Sequence, residues 1–222
     1  MLMIYKMGVL NYFELNSLIG RIFCNRRPSL KVGKNYLNLG AGPHKTENWI
    51  NADFFPNLFP HFYRIKYFFN PPYWMLDLRY PINCDADVFD GIYCGHTLEH
   101  LTQIDACNLI KEIYRILKPG CWLRINVPDL EKYIKFYIGE KVDEVFNNYS
   151  TGADAIHSLT QNWGHQSVWD ETLLIKKLQI VGFISIKNID FGKEGTDRNL
   201  ILEKEIRKWE TLVIEAQKPI IL

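Results

Sequence analysis

The sequence lacks an excess of charge of either sign. Its 222 residues include 26 lysines and arginines and 25 aspartates and glutamates, a formal net charge of +1 at pH 7. Proteins that bind nucleic acid or acidic polymers usually carry a basic face or stripe. Because this sequence has no basic stripe, we expect no nucleic-acid partner.

An ordered cysteine pattern is also missing. The five cysteines are an odd number, and no two of them form a C-x-x-C pair. This arrangement fits reduced thiols better than a disulfide framework. We therefore expect a cytoplasmic protein.

Long uninterrupted apolar runs are absent as well. Residues 1–23 are apolar but broken by polar side chains, and no run approaches the roughly 18 apolar residues that a spanning helix needs. No cleavage site follows a compact apolar core, so a signal peptide is not expected. We predict a helical extension over 1–34 that packs on the domain. The alternative is peripheral contact with an anionic membrane, since basic residues follow the apolar stripe.

Residues 54–74 interrupt the ordinary composition, because ten of these 21 residues are aromatic. Such a segment must be buried, cover a ligand or lie on something apolar. We interpret it as a flap that fills its own small core. A lid over a substrate and a contact with a lipid surface are the alternatives.

The hydrophobic pattern predicts strands that alternate with helices in a single domain, residues 1–222. Short apolar runs predict strands at 36–39, 49–53, 73–76, 88–94, 122–127, 184–189 and 211–216. Apolar spacing and stop signals predict helices at 104–117, 129–148 and 170–181, with a loop at 151–167. This alternation predicts an α/β fold with a mostly parallel sheet covered on both faces. Ligands then bind beyond the carboxyl ends of the strands.

Three features stand at such strand ends. Gly40-Ala41-Gly42 follows the first strand, and glycines let a backbone approach a ligand closely. Asp53 ends the second strand, where a carboxylate can accept both hydroxyls of a ribose. Asp77 ends the third, where it can accept an exocyclic amine. Together they predict a site for an adenosine-containing ligand.

Rival nucleotide motifs do not fit. The dinucleotide fingerprint G-x-G-x-x-G needs glycine at position 45, which is Lys45. A phosphate-binding P-loop needs glycine before Lys45-Thr46, but His44 stands there and the spacing differs. Both interpretations are therefore disfavoured.

Several segments in succession resemble the motifs of class I S-adenosylmethionine (SAM)-dependent methyltransferases. The matching segments are Tyr36–Gly42, Asn48–Asp53, residues 75–79, residues 89–101 and residues 112–127. Residues 212–219 are similar to the last strand of that fold. The sequence FDGIYCGHTLEHL resembles a small branch with H-x-L-E-H after the fourth strand, often linked to cell-surface polysaccharide biosynthesis.

The resemblance implies a Rossmann-like fold with a seven-stranded sheet, its last strand antiparallel, and helices on both faces. It implies SAM as the cofactor, held by these residues: Asn38, Gly40, Ala41, Gly42, Asp53, Asp77, Leu78 and His96. The glycine turn would face the methionine part, Asp53 the ribose, and Asp77 with Leu78 the adenine. Three positions depart from the family pattern: Asn38 replaces an acid, His44 replaces a third glycine, and Cys121 stands where a second glycine commonly follows Pro-Gly.

Two histidines are candidates for catalysis. His96 lies just past the fourth strand, near the methyl group, and suits a general base because its ordinary pKa is near neutrality. His100 and Glu99 either orient His96 or cap the following turn. His165, just before the helix at 170–181, is the second candidate.

The expected activity is methyl transfer from SAM to a small-molecule or glycan-like acceptor. One alternative is a non-catalytic protein with the SAM-binding fold, suggested by Asn38 and His44. The other is a zinc hydrolase, because His96-Thr97-Leu98-Glu99-His100 also fits H-x-x-E-H. With no further ligand evident in sequence, we expect no metal site.

Overall fold

A computed structural model describes residues 14–15, 17–22, 26–42, 45–54 and 74–220. Nearly all of the aromatic flap predicted at 54–74 lies outside the described residues. So does His44, one of the departures from the family pattern.

The fold is built on a seven-stranded sheet. Its strands are β1 (Tyr36–Leu39), β2 (Ile50–Asp53), β3 (Trp74–Met75), β4 (Phe89–Gly95), β5 (Leu117–Pro128), β6 (Ile184–Asn188) and β7 (Thr211–Gln217). They are arranged in the order β3-β2-β1-β4-β5-β7-β6. Strands β1 to β5 pair in parallel, whereas β7 runs antiparallel to both β5 and β6. The Rossmann-like α/β fold predicted from the sequence is thereby confirmed.

The main core lies between the sheet and two helices, α1 (Gln103–Ile116) and α4 (Glu171–Val181). Helix α1 begins at Thr102, whose hydroxyl accepts the backbone N–H of Asp105 at 3.2 Å, as the capping pattern predicts. Helix α4 ends at Gly182, where φ is +110° and glycine adopts the left-handed conformation without a Cβ penalty.

A second, smaller core is aromatic and lies beside helices α2 (Leu130–Tyr137) and α3 (Gly152–Gln161). The predicted helix at 129–148 is wrong in its extent, because α2 ends at Tyr137 and a separate 3-10 turn spans Glu144–Asn148. The loop predicted at 151–167 is also wrong over its first part, which forms α3. Helix α3 buries Ala155 and Leu159, a stripe too short to stand out in sequence.

At the N-terminus, residues 14–15 and 17–22 are helical, within the extension predicted for 1–34. Its buried positions are Ser17 and Gly20, whereas Leu15, Leu18 and Ile22 are exposed. Among the described residues, no helix has the length and apolar character needed to cross a bilayer.

Candidate active site

The parallel strands bring four chain segments to one edge of the sheet. In the sheet register, Leu39 of β1 lies beside Ala52 of β2 and Cys94 of β4. The residues that follow these strands therefore lie side by side. They include the glycine turn, Asp53, and the segment that begins at His96.

The glycine turn after β1 is closed on one side and open on the other. Gly40 has a φ of +67°, and a Cβ there would overlap the hydroxyl of Thr97. Gly42 has a φ of +61°, and apart from its chain neighbours no heavy atom of the described residues lies within 4 Å of where its Cβ would stand. Ala41 is buried between them, with its N–H bonded to Ala52 O at 3.1 Å. The open backbone at Gly42 fits close approach by a ligand.

Asp53 closes this turn from the neighbouring strand. Its Oδ2 accepts the N–H of Gly42 at 2.5 Å, and its Oδ1 accepts the N–H of Phe54 at 2.6 Å. Burial raises the pKa of the carboxyl group, although the two backbone hydrogen bonds oppose that shift. Because each carboxylate oxygen has two lone pairs, Asp53 retains acceptor capacity for a pair of hydroxyls. This geometry fits the ribose of SAM.

Asp77 is engaged differently. Arg79 donates to Asp77 Oδ1 from Nε at 3.0 Å and from its backbone N at 3.1 Å. Asp77 Oδ2 accepts Nη2 of Arg79 at 2.7 Å and the hydroxyl of Ser17 at 2.5 Å. Burial opposes ionisation, but these hydrogen bonds outweigh it and hold the pKa of Asp77 below its ordinary value. Four donors fill the usual capacity of a carboxylate, so adenine would have to displace one of them.

Leu78 and Asn38 lie near the same edge, and the contacts described for them are with other residues of the protein. Leu78 is half-buried and packs against the main core. Asn38 is buried, and its amide donates to Asn51 Oδ1 at 3.2 Å and to Thr46 Oγ1 at 3.4 Å. The amide of Asn38 thus braces the loop between β1 and β2.

His96 is held in a constrained conformation at the end of β4. Its φ of +47° is unusual for a residue with a Cβ. The ring Nε2 lies 2.8 Å from Thr211 Oγ1, and Nδ1 lies 3.2 Å from Glu99 Oε1. Because the Thr211 hydroxyl donates to Arg207 O at 2.6 Å, Nε2 is assigned as the donor to Thr211. Nε2 therefore has a hydrogen-bond partner within the protein, and Nδ1 faces the Glu99 carboxylate.

His165 lies beside His100 rather than beside His96. The two rings are 4.9 Å apart between centroids and nearly perpendicular, at 80°. His165 Nδ1 lies 2.7 Å from the carbonyl oxygen of Leu159. Burial lowers the pKa of His100, although the nearby Glu99 opposes that shift.

Glu99 is the buried acid of this cluster. Its side chain is 2% exposed, and neither carboxylate oxygen has a hydrogen-bond partner in the part of the chain that the structure describes. Within the described part of the chain, the side chains close enough to share a cation are Glu99, His100 and His165. The zinc alternative from H-x-x-E-H has His96 and His100 as ligands and Glu99 as base, whereas the grouped side chains are Glu99, His100 and His165.

Several site residues escape sequence reasoning because they are distant along the chain. Ser17 reaches Asp77 from 60 residues away, and Thr211 reaches His96 from 115 residues away. Neither residue belongs to a motif. Glu99 belongs to the H-x-L-E-H motif and can be found in the sequence. The burial of its side chain depends on the fold and cannot be predicted from the motif.

Comparison with known proteins places this geometry in context. A family model described as a methyltransferase domain matches residues 14–187. No curated protein sequence matches the chain.

Solved structures share the fold at low sequence identity. A SAM-dependent methyltransferase from Archaeoglobus fulgidus is 16% identical, with a TM-score of 0.50, 93% of this chain covered and 94% of that one. A SAM-dependent methyltransferase from Thermotoga maritima is 16% identical, with a TM-score of 0.51 and 96% of each chain covered. Phosphoethanolamine N-methyltransferase 2 from Haemonchus contortus, in complex with SAM, is 15% identical, with a TM-score of 0.50. The match covers 93% of this chain but 53% of the nematode enzyme.

Proposed function

The chain belongs to the SAM-dependent methyltransferases, and from that premise we propose that it methylates a small-molecule or glycan-like acceptor. The observation that carries the proposal is the junction of β1 and β2. There the open backbone of Gly42 lies against the Asp53 carboxylate. The glycan-like class of acceptor is supported by the H-x-L-E-H resemblance.

In this proposal the glycine turn and Asp53 hold the cofactor. Gly40, Ala41 and Gly42 face its methionine part, and Asp53 accepts the ribose hydroxyls. When bound, SAM supplies a methyl group already activated by a positively charged sulfur. The protein therefore contributes mainly by aligning the acceptor with that methyl group.

The adenine end is proposed at Asp77 and Leu78, with a condition. The Asp77 carboxylate already accepts hydrogen bonds from Arg79 and Ser17. Adenine binding there requires one donor to withdraw. Ser17 is the donor we expect to withdraw, because the Arg79 guanidinium also forms an ion pair with Asp77.

His96 and His165 are the proposed residues on the acceptor side. His96 follows β4, beside the glycine turn, and is also a candidate cofactor contact. His96→Gln should lower the rate of transfer, and the SAM affinity of the same variant decides which role it has. An unchanged affinity indicates an acceptor-side role, whereas a weakened affinity indicates a cofactor contact. Unchanged rate and affinity together would remove His96 from the site.

Calorimetric titration with SAM and S-adenosylhomocysteine tests the cofactor site. Asp53→Ala should weaken binding by about 1–3 kcal/mol, the usual loss when a buried polar contact is removed. Asp85→Ala is the matched control, because Asp85 is 70% exposed and pairs with Arg27 at the surface. Equal affinity in wild type and Asp53→Ala would exclude Asp53 from the ribose site.

The acceptor is identified by labelled methyl transfer from SAM into a cell extract, followed by analysis of the labelled species. A labelled sugar or lipid-linked sugar supports the glycan-like acceptor. A labelled nucleic acid or protein would overturn it. SAM binding without turnover across a broad acceptor panel would favour a non-catalytic role instead.

We also propose a cytoplasmic protein that contacts a membrane peripherally, through residues 1–34 or the flap at 54–74. The supporting observation is that Leu15, Leu18 and Ile22, spaced as one helix face, are 53%, 46% and 62% exposed. Replacing these three residues with serine should reduce cosedimentation with anionic vesicles. Undiminished cosedimentation would exclude this helix, and deletion of 55–73 then tests the flap.

A further inference from the structure

Glu99 is a buried acid without a hydrogen-bond donor. A carboxylate removed from water is strongly destabilised unless a hydrogen bond, an opposite charge or a cation compensates it. Among the described residues, neither Glu99 oxygen accepts a hydrogen bond, although His96 Nδ1 lies 3.2 Å from Oε1, and the side chain is 2% exposed. His96 is one of three histidines that lie near this carboxylate. His100 and His165 each have a ring nitrogen close enough to share a cation with Glu99.

His165 is oriented as metal-binding histidines usually are. Such a histidine donates one ring N–H to a carbonyl or carboxylate and presents the other nitrogen to the metal. His165 Nδ1 lies 2.7 Å from Leu159 O, which assigns the N–H to that position. The lone pair of Nε2 is then available to a ligand.

The two segments that carry the cluster are joined by their backbones. Glu99 O accepts the N–H groups of Gln166 at 2.7 Å and Ser167 at 3.1 Å. The Gln166 side chain donates to His100 O at 2.6 Å, and the Ser167 hydroxyl donates to Leu98 O at 3.1 Å. These four hydrogen bonds fix segments 98–100 and 165–167 against each other. These hydrogen bonds therefore hold His165 close to Glu99 and His100.

From this arrangement we propose that Glu99, His100 and His165 form a binding site for a divalent transition-metal ion of the zinc class. Two imidazoles and one carboxylate are a donor set that zinc accepts, with a fourth position left for water or substrate. One potential ligand atom from each residue lies within 4.8 Å of the others. Ligand atoms about 2.0–2.1 Å from zinc stand roughly 3.3–3.5 Å apart. Side-chain rotations that move each ligand atom by about 1 Å would therefore bring the three atoms to coordinating distance.

The fourth coordination position of the ion is available to bind an acceptor molecule. Segment 98–100 follows β4 directly, at the edge of the sheet where the methyl group is expected. An ion there can hold an oxygen of the acceptor, as zinc and related ions polarise bound oxygen groups. This use rests on the proposed function, whereas the ion site itself does not.

Zinc binding is measured on the full chain after any histidine tag is removed and metals are stripped with a chelator. Titration with Zn²⁺ against a competing chelator should give one equivalent per chain, and Co²⁺ should give the visible absorption of a low-coordinate site. His165→Gln and Glu99→Gln should each weaken zinc binding by at least about tenfold. Loss of an outer-shell partner alone typically costs 10–100-fold. His157→Gln is the matched control, since His157 is an exposed histidine on α3 outside the cluster.

Absence of stoichiometric zinc would overturn the proposal. An equal loss in His157→Gln would also overturn it, by showing adventitious surface binding. The backbone bonds between the segments do not involve the His165 side chain, so His165→Gln should still unfold in one cooperative thermal transition, its midpoint lowered only by the lost side-chain hydrogen bond to Leu159 O. SAM affinity is measured on the same samples. Zinc binding without SAM binding would refute the proposed function alone, and SAM binding without zinc would refute the metal site alone.

Discussion

The hydroxyl of Ser17 lies 2.5 Å from Oδ2 of Asp77, so the N-terminal helical segment occupies one acceptor position of the acid proposed to bind adenine. The same segment carries Glu14, which pairs with Arg79 at 2.5 Å. The adenine end of the site is therefore linked to the N-terminal segment by two polar contacts. A ligand that donates to Asp77 Oδ2 must displace the Ser17 hydroxyl.

Ser17→Ala should tighten SAM binding. Without the hydroxyl, Asp77 has one acceptor position open, and the ligand no longer displaces a hydrogen bond worth roughly 0.5–1.5 kcal/mol. We expect a gain in affinity of roughly twofold to tenfold by calorimetry. Ser150→Ala is the control, because its hydroxyl bonds Asp154 on an exposed turn. Weaker binding in Ser17→Ala would instead make Ser17 part of the cofactor site.

Gly42→Ala should weaken SAM binding. Its loss of stability should be no larger than that of a control variant, Gly139→Ala. Gly42 and Gly139 have φ values of +61° and +79°, and among the described residues beyond their chain neighbours, no heavy atom lies within 4 Å of the position that a Cβ would take. Alanine at either position imposes comparable backbone strain of about 1 kcal/mol. Only at position 42 does the methyl group enter the proposed cofactor space.

The measurements for this pair are a urea unfolding midpoint and a SAM titration of each variant. We expect similar midpoints for Gly42→Ala and Gly139→Ala, and weakened SAM binding for Gly42→Ala alone. Similar affinities in the two variants would show that the cofactor does not approach the backbone at Gly42.

The sequence predicts the parts of this site that depend on local order along the chain. A parallel sheet brings its strand ends together, so Gly42 and Asp53 are found by reading where each apolar run stops. The partners of those groups come from distant segments, as Ser17 does for Asp77 and His165 for His100. No periodicity encodes such pairs, because they depend on how separate elements pack. Helix α3 was missed for a related reason: its short apolar stripe gains meaning only against the aromatic cluster beside it.

Asp77→Asn should remove a pH-dependent part of the stability. The folded-state pKa of Asp77 lies below its unfolded value, because hydrogen bonds from Arg79 and Ser17 outweigh burial. Its contribution is therefore fully present above the unfolded pKa of about 3.9 and is lost as pH falls through the folded value. The difference in urea midpoint between wild type and Asp77→Asn should be largest near about pH 7 and shrink below about pH 4.

The control for this pH dependence is Asp85→Asn. Asp85 and Arg27 form an ion pair at 2.9 Å, but their side chains are 70% and 64% exposed. Exposed pairs contribute little, about 0–1 kcal/mol, because solvent screens them. A pH-independent difference between wild type and Asp77→Asn would contradict the assigned ion pair with Arg79.

Arg124→Met should strongly destabilise the fold without touching the site. Arg124 on β5 is fully buried and pairs with Glu215 at 2.6 Å, its register partner on β7, and with Glu203. Removing the guanidinium leaves two buried acids without their cation, a loss of about 3–5 kcal/mol in the free energy of unfolding. Lys208→Ala is the control, since Lys208 and Glu205 are 58% and 77% exposed. If the acids cause the loss, Arg124→Met combined with Glu203→Gln and Glu215→Gln should regain part of the stability in urea unfolding. A triple variant no more stable than Arg124→Met would assign the loss to packing.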